Sequence, residues 1–328
     1  MYYLQEWSTS SAFRYAGSLD VSVLFQARLL SKSVNSFKTY KSGFLHWKNF
    51  ALDNNICVFP VNNTEFSIFM LEMVKNDFAW PSLNSSLNAV NYFHNLFYIQ
   101  PISPDKYVLD YCKRFARKVN RKKRPLLKYE FSKIMRFSSK VAPSLKDLRN
   151  LCFVMFGFLA FLRFDDFSQL KVCDVDIFGS HVSIVVPEGK ADQTYKSQKV
   201  EIQLDSRCYD ILRLYVKRCQ FAKLGWQRSD IFFFPKFVAD KPKFQKKISY
   251  TECRISFNSL CDAVGVEKKG LGIHSLRIGG CSEASRMGVP DYLLDLHGRW
   301  AFGSTSRAGY QRLTPAEKVL VSTKLMSK

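Results

Sequence analysis

The sequence predicts a mainly α chain in two parts: an all-helical first third, then an α+β remainder with a small three-stranded sheet among helices. Three observations predict it. Apolar residues recur at helical spacing through the first 110 positions, a basic run without an acid divides the chain from residue 113, and strand-like apolar runs separated by a turn lie beyond it. With 328 residues, 47% of them hydrophobic, the chain is long enough for two cores.

From Ser31 onward Val34, Phe37, Phe44 and Trp47 recur with a helical period, with Tyr40 between, while Lys38, Lys41 and Lys48 fall elsewhere. Ser31 or Ser33 is placed to cap this helix. A second helix is predicted over Glu65–Val74, after Asn62-Asn63-Thr64, and a third from near Ser85 through Leu87, Val90, Phe93 and Phe97. Pro60, Pro81, Pro101 and Pro104 stand between these segments, as breakers should. Then Lys113, Arg114, Arg117, Lys118, Arg121, Lys122, Lys123 and Arg124 crowd together, closed by Pro125. The predicted organisation is a helical domain over 1–112, a basic linker over 113–125 and a second domain over 126–328. The basic run reads equally as a solvated, flexible linker and as a strap laid along a phosphate backbone, and its composition also matches a nuclear import signal. Beyond it Leu148–Leu162 reads as a strongly apolar helix. Val172–Phe178 and Val182–Val186 read as strands, Pro187-Glu188-Gly189 turns the chain, and Lys199–Leu204 reads as a third strand. The rest reads as helical apart from an aromatic patch at Ile231–Phe234.

Charge narrows the class of partner. Lys plus Arg number 49 against 28 Asp plus Glu, a formal net charge of +21. Such an excess predicts a polyanionic partner, because each phosphate neutralised releases condensed counterions. Nucleic acid is the first reading; an anionic membrane surface and ribosome association share the requirement. The start of the chain shows no basic region followed by an apolar one, and the longest apolar run, Leu151–Leu162, spans 12 residues, too short to cross a bilayer. The nine cysteines are scattered, with no C-x-x-C pair and no nearby His at ligand spacing, which predicts reduced, mostly buried thiols in an intracellular protein and no structural metal.

The segment Gly272–Tyr310 carries the chemistry. It holds His274-Ser275-Leu276-Arg277, an H-x-x-R whose first and last members share a helical face. Alone, four such residues are weak evidence, since a His beside a surface Arg is common. Here Gly298-Arg299-Trp300 follows, with Trp300 23 positions after Arg277, and Tyr310 lies 10 positions after Trp300. Upstream, Arg163 ends the apolar helix in Leu162-Arg163-Phe164-Asp165-Asp166.

This ordered set resembles the tyrosine recombinase (phage integrase) family, whose signature runs from an arginine in R-x-x-E/D through a hairpin lysine, H-x-x-R and a His or Trp to a nucleophilic tyrosine. The specific motifs cover about Pro125–Tyr310; the helical N-terminal part resembles the family's core-binding domain more loosely. The wording HSLRIGG, then GVPDYLLDLHGRW and a Tyr, is closest to eukaryotic mobile-element recombinases of the DIRS and Crypton type. The resemblance implies an α+β catalytic domain, a C-shaped clamp on double-stranded DNA, a tetrameric synapse and no cofactor or metal. It also implies a location in the nucleus if the source is eukaryotic. Arg163 and Arg277 would neutralise the non-bridging oxygens of one phosphate, and His274 would take the phenol proton. Lys190, in Pro187-Glu188-Gly189-Lys190, would protonate the leaving oxygen, though Lys196 and Lys199 lie close by. Trp300 would offer its indole N–H, and Tyr310 would attack. Asp166 would support Arg163. His297, just before Gly298, competes with Trp300 for its place; the spacing from Arg277 favours Trp300 and leaves His297 structural or a neighbour of the phosphate. The Trp300–Tyr310 interval is one residue longer than the commonest family spacing, to be absorbed near Phe302-Gly303. Thr314–Met326 reads as a short amphipathic helix through Ala316, Val319, Leu320 and Leu325, expected to dock on an adjacent subunit.

Three other readings are set beside this one. A metal-dependent nuclease needs clustered carboxylates, which the sparse acids here do not supply. A type IB topoisomerase shares the residue set. The rival of a different class is a catalytically silent DNA-binding protein derived from a recombinase; against decay, every catalytic position is filled.

Overall fold

The structure, a computed structural model, describes residues 26–29, 31–32, 34–118, 123–140, 142–186, 198–301 and 305–311. Two compact units divide at Arg121/Lys122. The first contains α1 (Val34–Asp53), α2 (Asn63–Lys75), α3 (Trp80–Leu96) and α4 (Lys106–Phe115). Fully buried Trp47, Phe66, Met70, Leu83 and Val90 form its core, and the Trp47 indole donates to the Val58 carbonyl at 2.9 Å. The helix starts follow side-chain caps: Asn62 accepts from Thr64 and Glu65 amides, and Asp105 from Tyr107 and Val108. The third helix starts at Trp80, five residues before the sequence-based start, because Pro81 sits in its first turn, where a missing N–H costs nothing.

The second unit is built on α5 (Lys128–Met135), α6 (Phe137–Lys140), α7 (Leu145–Leu159) and α8 (Phe164–Gln169), then β1 (Val175–Phe178), β2 (His181–Val186) and β3 (Gln198–Gln203), an antiparallel sheet in that order. After it come α9 (Ser206–Cys219), α10 (Phe221–Leu224), a hairpin of β4 (Pro235–Val238) and β5 (Lys241–Lys247), α11 (Tyr250–Ala263), α12 (His274–Arg286) and α13 (Asp291–Gly298). The apolar helix α7 is the hub; Leu148 and Leu151–Phe156 are fully buried. It starts at Leu145 rather than Leu148, since Ser144 and Asp147 cap each other's amides. Helix α12 lies so close to α7 that a Cβ on Gly280 would stand 2.0 Å from the Phe158 carbonyl oxygen, so only glycine fits there.

The mainly helical class with small sheets is as the sequence predicts. Four details differ. The hairpin β4–β5 replaces an expected helical stretch, because its inner face is only Pro235, Phe237, Pro242 and Phe244, and prolines and lysines hide that alternation in the sequence. Val172–Asp174, read as strand, forms a 3₁₀ turn before β1. Lys113 and Arg114 are not linker: they form the last turn of α4, where cations favour the helix C-terminus, and Ala116 beyond them is buried. Arg117 bridges to Ala79 and pairs with Asp77 at 3.6 Å, and Lys118 donates to the Lys113 carbonyl at 2.5 Å. Arg124 is not a free cation for DNA either. It forks onto Glu130 at 2.8 and 2.9 Å and also donates to the carbonyls of Glu267 and Lys269, clamping the start of the second unit to the loop before α12. The Lys123 stem passes 3.3 Å from where a Gly272 Cβ would be, two residues before His274. Arg121 and Lys122 lie outside the described residues, as do Lys190, Phe302-Gly303 and the segment Thr314–Met326. Among the described residues no helix is long and apolar enough to cross a membrane.

Candidate active site

The site forms where α7 ends. Phe161 adopts a left-handed backbone (φ 51°), reversing the chain so that Arg163 caps α8. Asp166, one turn into α8, accepts the Arg163 amide at 2.9 Å and keeps its carboxylate 4.0 Å from the Arg163 guanidinium. On the facing side α12 opens at His274, which is exposed, while Arg277 one turn later is completely buried.

Arg277 is the centre of the arrangement. Its guanidinium donates to the Phe161 carbonyl and, at 2.6 Å, to the Gly298 carbonyl, tying the ends of α7 and α13 together. It lies 4.4 Å from the Trp300 ring centre and 4.9 Å from that of Tyr310. Burial, and then the like charges of Arg163 and Arg299, push its pKa down to about 9, so it stays charged at neutral pH under strain from its own neighbours. Trp300 reaches the centre because Gly298 has no side chain: a Cβ there would fall 1.9 Å from the indole. Phe161, Cys281, Leu294 and Trp300 make a small apolar cluster that also supports Tyr310.

Tyr310 is half-buried, its ring centre 5.1 Å from both the His274 and the Trp300 rings. The longer Trp300–Tyr310 interval therefore does not take the tyrosine away from the H-x-x-R face. Its 3₁₀ turn (Arg307–Gly309) is fastened at several points. Arg307 pairs with Asp295 at 2.8 Å and Asp291 at 2.7 Å, Ser282 donates to the Tyr310 carbonyl at 2.9 Å, and Gln311 donates to Ser285 at 2.9 Å.

His297 has a different task. Its ring meets Phe161 edge-on at 4.6 Å and its Nε2–H donates to the Leu159 carbonyl at 2.7 Å. Burial lowers its pKa, which keeps the imidazole neutral in this role.

The structure thus gathers His274, Arg277, Trp300 and Tyr310 in ring and cation contact, with Arg163 and Asp166 alongside. Arg299 went unnoticed in the sequence, and so did Arg307. Arg299, in a left-handed cap at the end of α13, is buried and bonds Asp166 at 2.5 Å. Burial lowers its pKa against the pull of that carboxylate. The only sequence signal was its place between Gly298 and Trp300, because its partner stands 133 positions away. Among the described residues, three buried donors in this cluster have no acceptor: Arg277 Nε, Arg299 Nη1 and the Trp300 indole nitrogen. A buried donor left without an acceptor is costly, and a ligand oxygen is one group that would satisfy it.

Asp166→Ala should leave Arg299 buried without its counter-charge. The expected loss of stability is about 3–5 kcal/mol, read by chemical denaturation, and Asp166→Asn should recover part of it.

The sequence profile of the phage integrase family matches residues 124–316. The chain belongs to the phage integrase family. This is the family of the tyrosine recombinases, and the match spans the arginine cluster, the H-x-x-R helix and Tyr310. Solved structures with a similar fold agree. The XerH site-specific recombinase bound to a palindromic difH substrate has a TM-score of 0.62 at 12% identity, over 88% of this chain and 80% of that one. The Tn1549 transposon integrase in complex with transposon right end DNA gives 0.58 at 12% identity, over 94% and 100%. The Lambda integrase bound to DNA gives 0.51 at 14% identity, over 89% and 96%. At such identities the likeness is one of fold. No curated protein matches the sequence.

Proposed function

We propose that this integrase-family chain cuts and rejoins double-stranded DNA through a 3′-phosphotyrosyl intermediate on Tyr310. The observation that carries the reading is the packing of the Tyr310 ring against His274, Trp300 and the guanidinium of Arg277, beside two further arginines. A phosphodiester oxygen placed against this cluster would meet the N–H groups that have no acceptor among the described residues. Arg163 and Arg277 are fixed positive forks suited to the charge that grows on the non-bridging oxygens. The Tyr310 oxygen forms a bond to phosphorus as its proton passes to His274, and the bond from phosphorus to the 5′ oxygen breaks. That oxygen leaves as a hydroxyl with a proton from Lys190, the member of the set that lies outside the described residues. Attack by a 5′-hydroxyl reverses the step, so the bond energy is conserved and no nucleotide is consumed. Arg299 holds Asp166 and so keeps Arg163 at the phosphate, and His297 keeps the end of α7 in place. The motif wording further supports a mobile-element origin of the DIRS or Crypton kind, and the DNA in the neighbouring structures supports DNA as partner.

The test is a duplex nicked near the cut site, so that cleavage releases a short strand and traps the enzyme. A protein–DNA adduct on a denaturing gel, with mass spectrometry placing the DNA on the Tyr310 peptide, is the expected result. Salt-dependent binding with no adduct supports the silent DNA-binding reading instead.

We further propose that the enzyme acts as a tetramer whose C-terminal helix docks on an adjacent subunit. A cavity of about 1050 Å³ in the second unit, partly apolar, is lined by Phe131, Phe158, Met287, Val289, Leu293 and Leu296. It suits the apolar face of a helix such as Thr314–Met326. Removing residues 312–328 should turn the DNA-bound tetramer into smaller species in analytical ultracentrifugation; an unchanged assembly would refute the docking.

A further inference from the structure

A second concentration of positive charge lies on the β4–β5 hairpin, which takes no part in the site above. Lys236, Lys241, Lys243, Lys246 and Lys247 stand there against one acid, Asp240 at the turn. All five are exposed. Among the described residues none of them is held in an ion pair. The register sets Lys236 directly opposite Lys243 and Val238 opposite Lys241, so three lysines share one face. The other face carries Phe237, buried beneath the Arg149 guanidinium at 4.7 Å, and Pro242. Like charges directly opposite each other destabilise a strand pair, and a two-stranded hairpin has little to spare. An anion lying across the outer face would turn that repulsion into attraction.

The hairpin begins next to the candidate site. Beyond its last strand the chain passes through buried Ile248 to Tyr250, the first residue of α11, whose ring meets Phe164 edge-on at 5.2 Å, one residue from Arg163. At about 3.3 Å per residue, β5 extends about 20 Å from there. One DNA strand advances about 3.4 Å per phosphate, so such a strand can accompany several of them. Spread, exposed ammonium groups without a planar fork suit a phosphate backbone better than a single small anion or a base edge.

We propose that the outer face of β4–β5 grips the phosphate backbone of the duplex flanking the bond to be cut, on the Arg163 side. The proposal rests on the reading of the protein as a DNA strand transferase. The test uses the full chain with Lys236→Gln, Lys241→Gln and Lys243→Gln together. Affinity for a duplex is measured by fluorescence anisotropy between about 50 and 200 mM salt. The slope of log K against log salt should become shallower by about 2 to 3, close to 0.9 per lost phosphate contact, and to a similar extent for unrelated duplexes. The thermal midpoint should stay at or above that of the parent, since the like-charge pair is gone. An unchanged slope overturns the proposal. So does an equal loss from the matched change Arg213→Gln, Lys217→Gln and Lys223→Gln on α9 and α10, which would make the effect one of net charge alone. A parent protein whose DNA binding shows no salt dependence would bring down the DNA reading itself, and this contact with it.

Discussion

The Tyr310→Phe protein is expected to form no covalent DNA adduct at any time point while binding the same duplex as the parent does. The phenyl ring can keep the contacts at 5.1 Å with His274 and Trp300 and the position over Arg277. The bond from Ser282 to the Tyr310 carbonyl and the Arg307–Asp295 pair do not involve the phenol oxygen. Only the nucleophilic oxygen is lost, so stability should stay within about 0.5 kcal/mol of the parent. Duplex affinity should stay within about twofold, because most of it comes from other phosphate contacts. Persistence of an adduct would transfer the nucleophile to another residue and end the assignment.

Arg277→Ala should abolish cleavage and also weaken the fold, and the two effects can be separated. The side chain is fully buried and satisfies the carbonyls of Phe161 and Gly298, and its loss leaves both without a donor at about 1–3 kcal/mol each. The melting temperature should therefore fall. Arg277→Lys is the sharper variant: a lysine keeps one positive charge but cannot serve two carbonyls and a phosphate in the same plane. Its melt should lie between parent and alanine variant, its duplex affinity within about tenfold of the parent, and its adduct yield should drop by about 100-fold or more, the scale of losing one placed donor to developing charge. Normal cleavage by a folded Arg277→Lys or Arg277→Ala protein would remove Arg277 from the reaction. DNA binding should in turn relieve the crowding of Arg277, Arg163 and Arg299, whose mutual repulsion helps to depress the Arg277 pKa.

The sequence by itself determined the helical first part, the three strands of the sheet and the H-x-x-R face, because each rests on short-range periodicity or spacing. His274 and Arg277 share a face through helix geometry alone, and Trp300 and Tyr310 follow within one stretch of chain. Tertiary structure alone decided what surrounds them. Arg299 became a buried ion-pair partner because Asp166 arrives from 133 residues away. Arg124 left the basic run to clamp Glu130 and the Glu267–Lys269 loop, which no local pattern marks. Whether an arginine meets solvent, a carboxylate or a phosphate depends on which distant backbone carbonyls and acids fold around it. A guanidinium reads alike in sequence in all three settings, and burial of its charge is tolerable only where those distant partners converge.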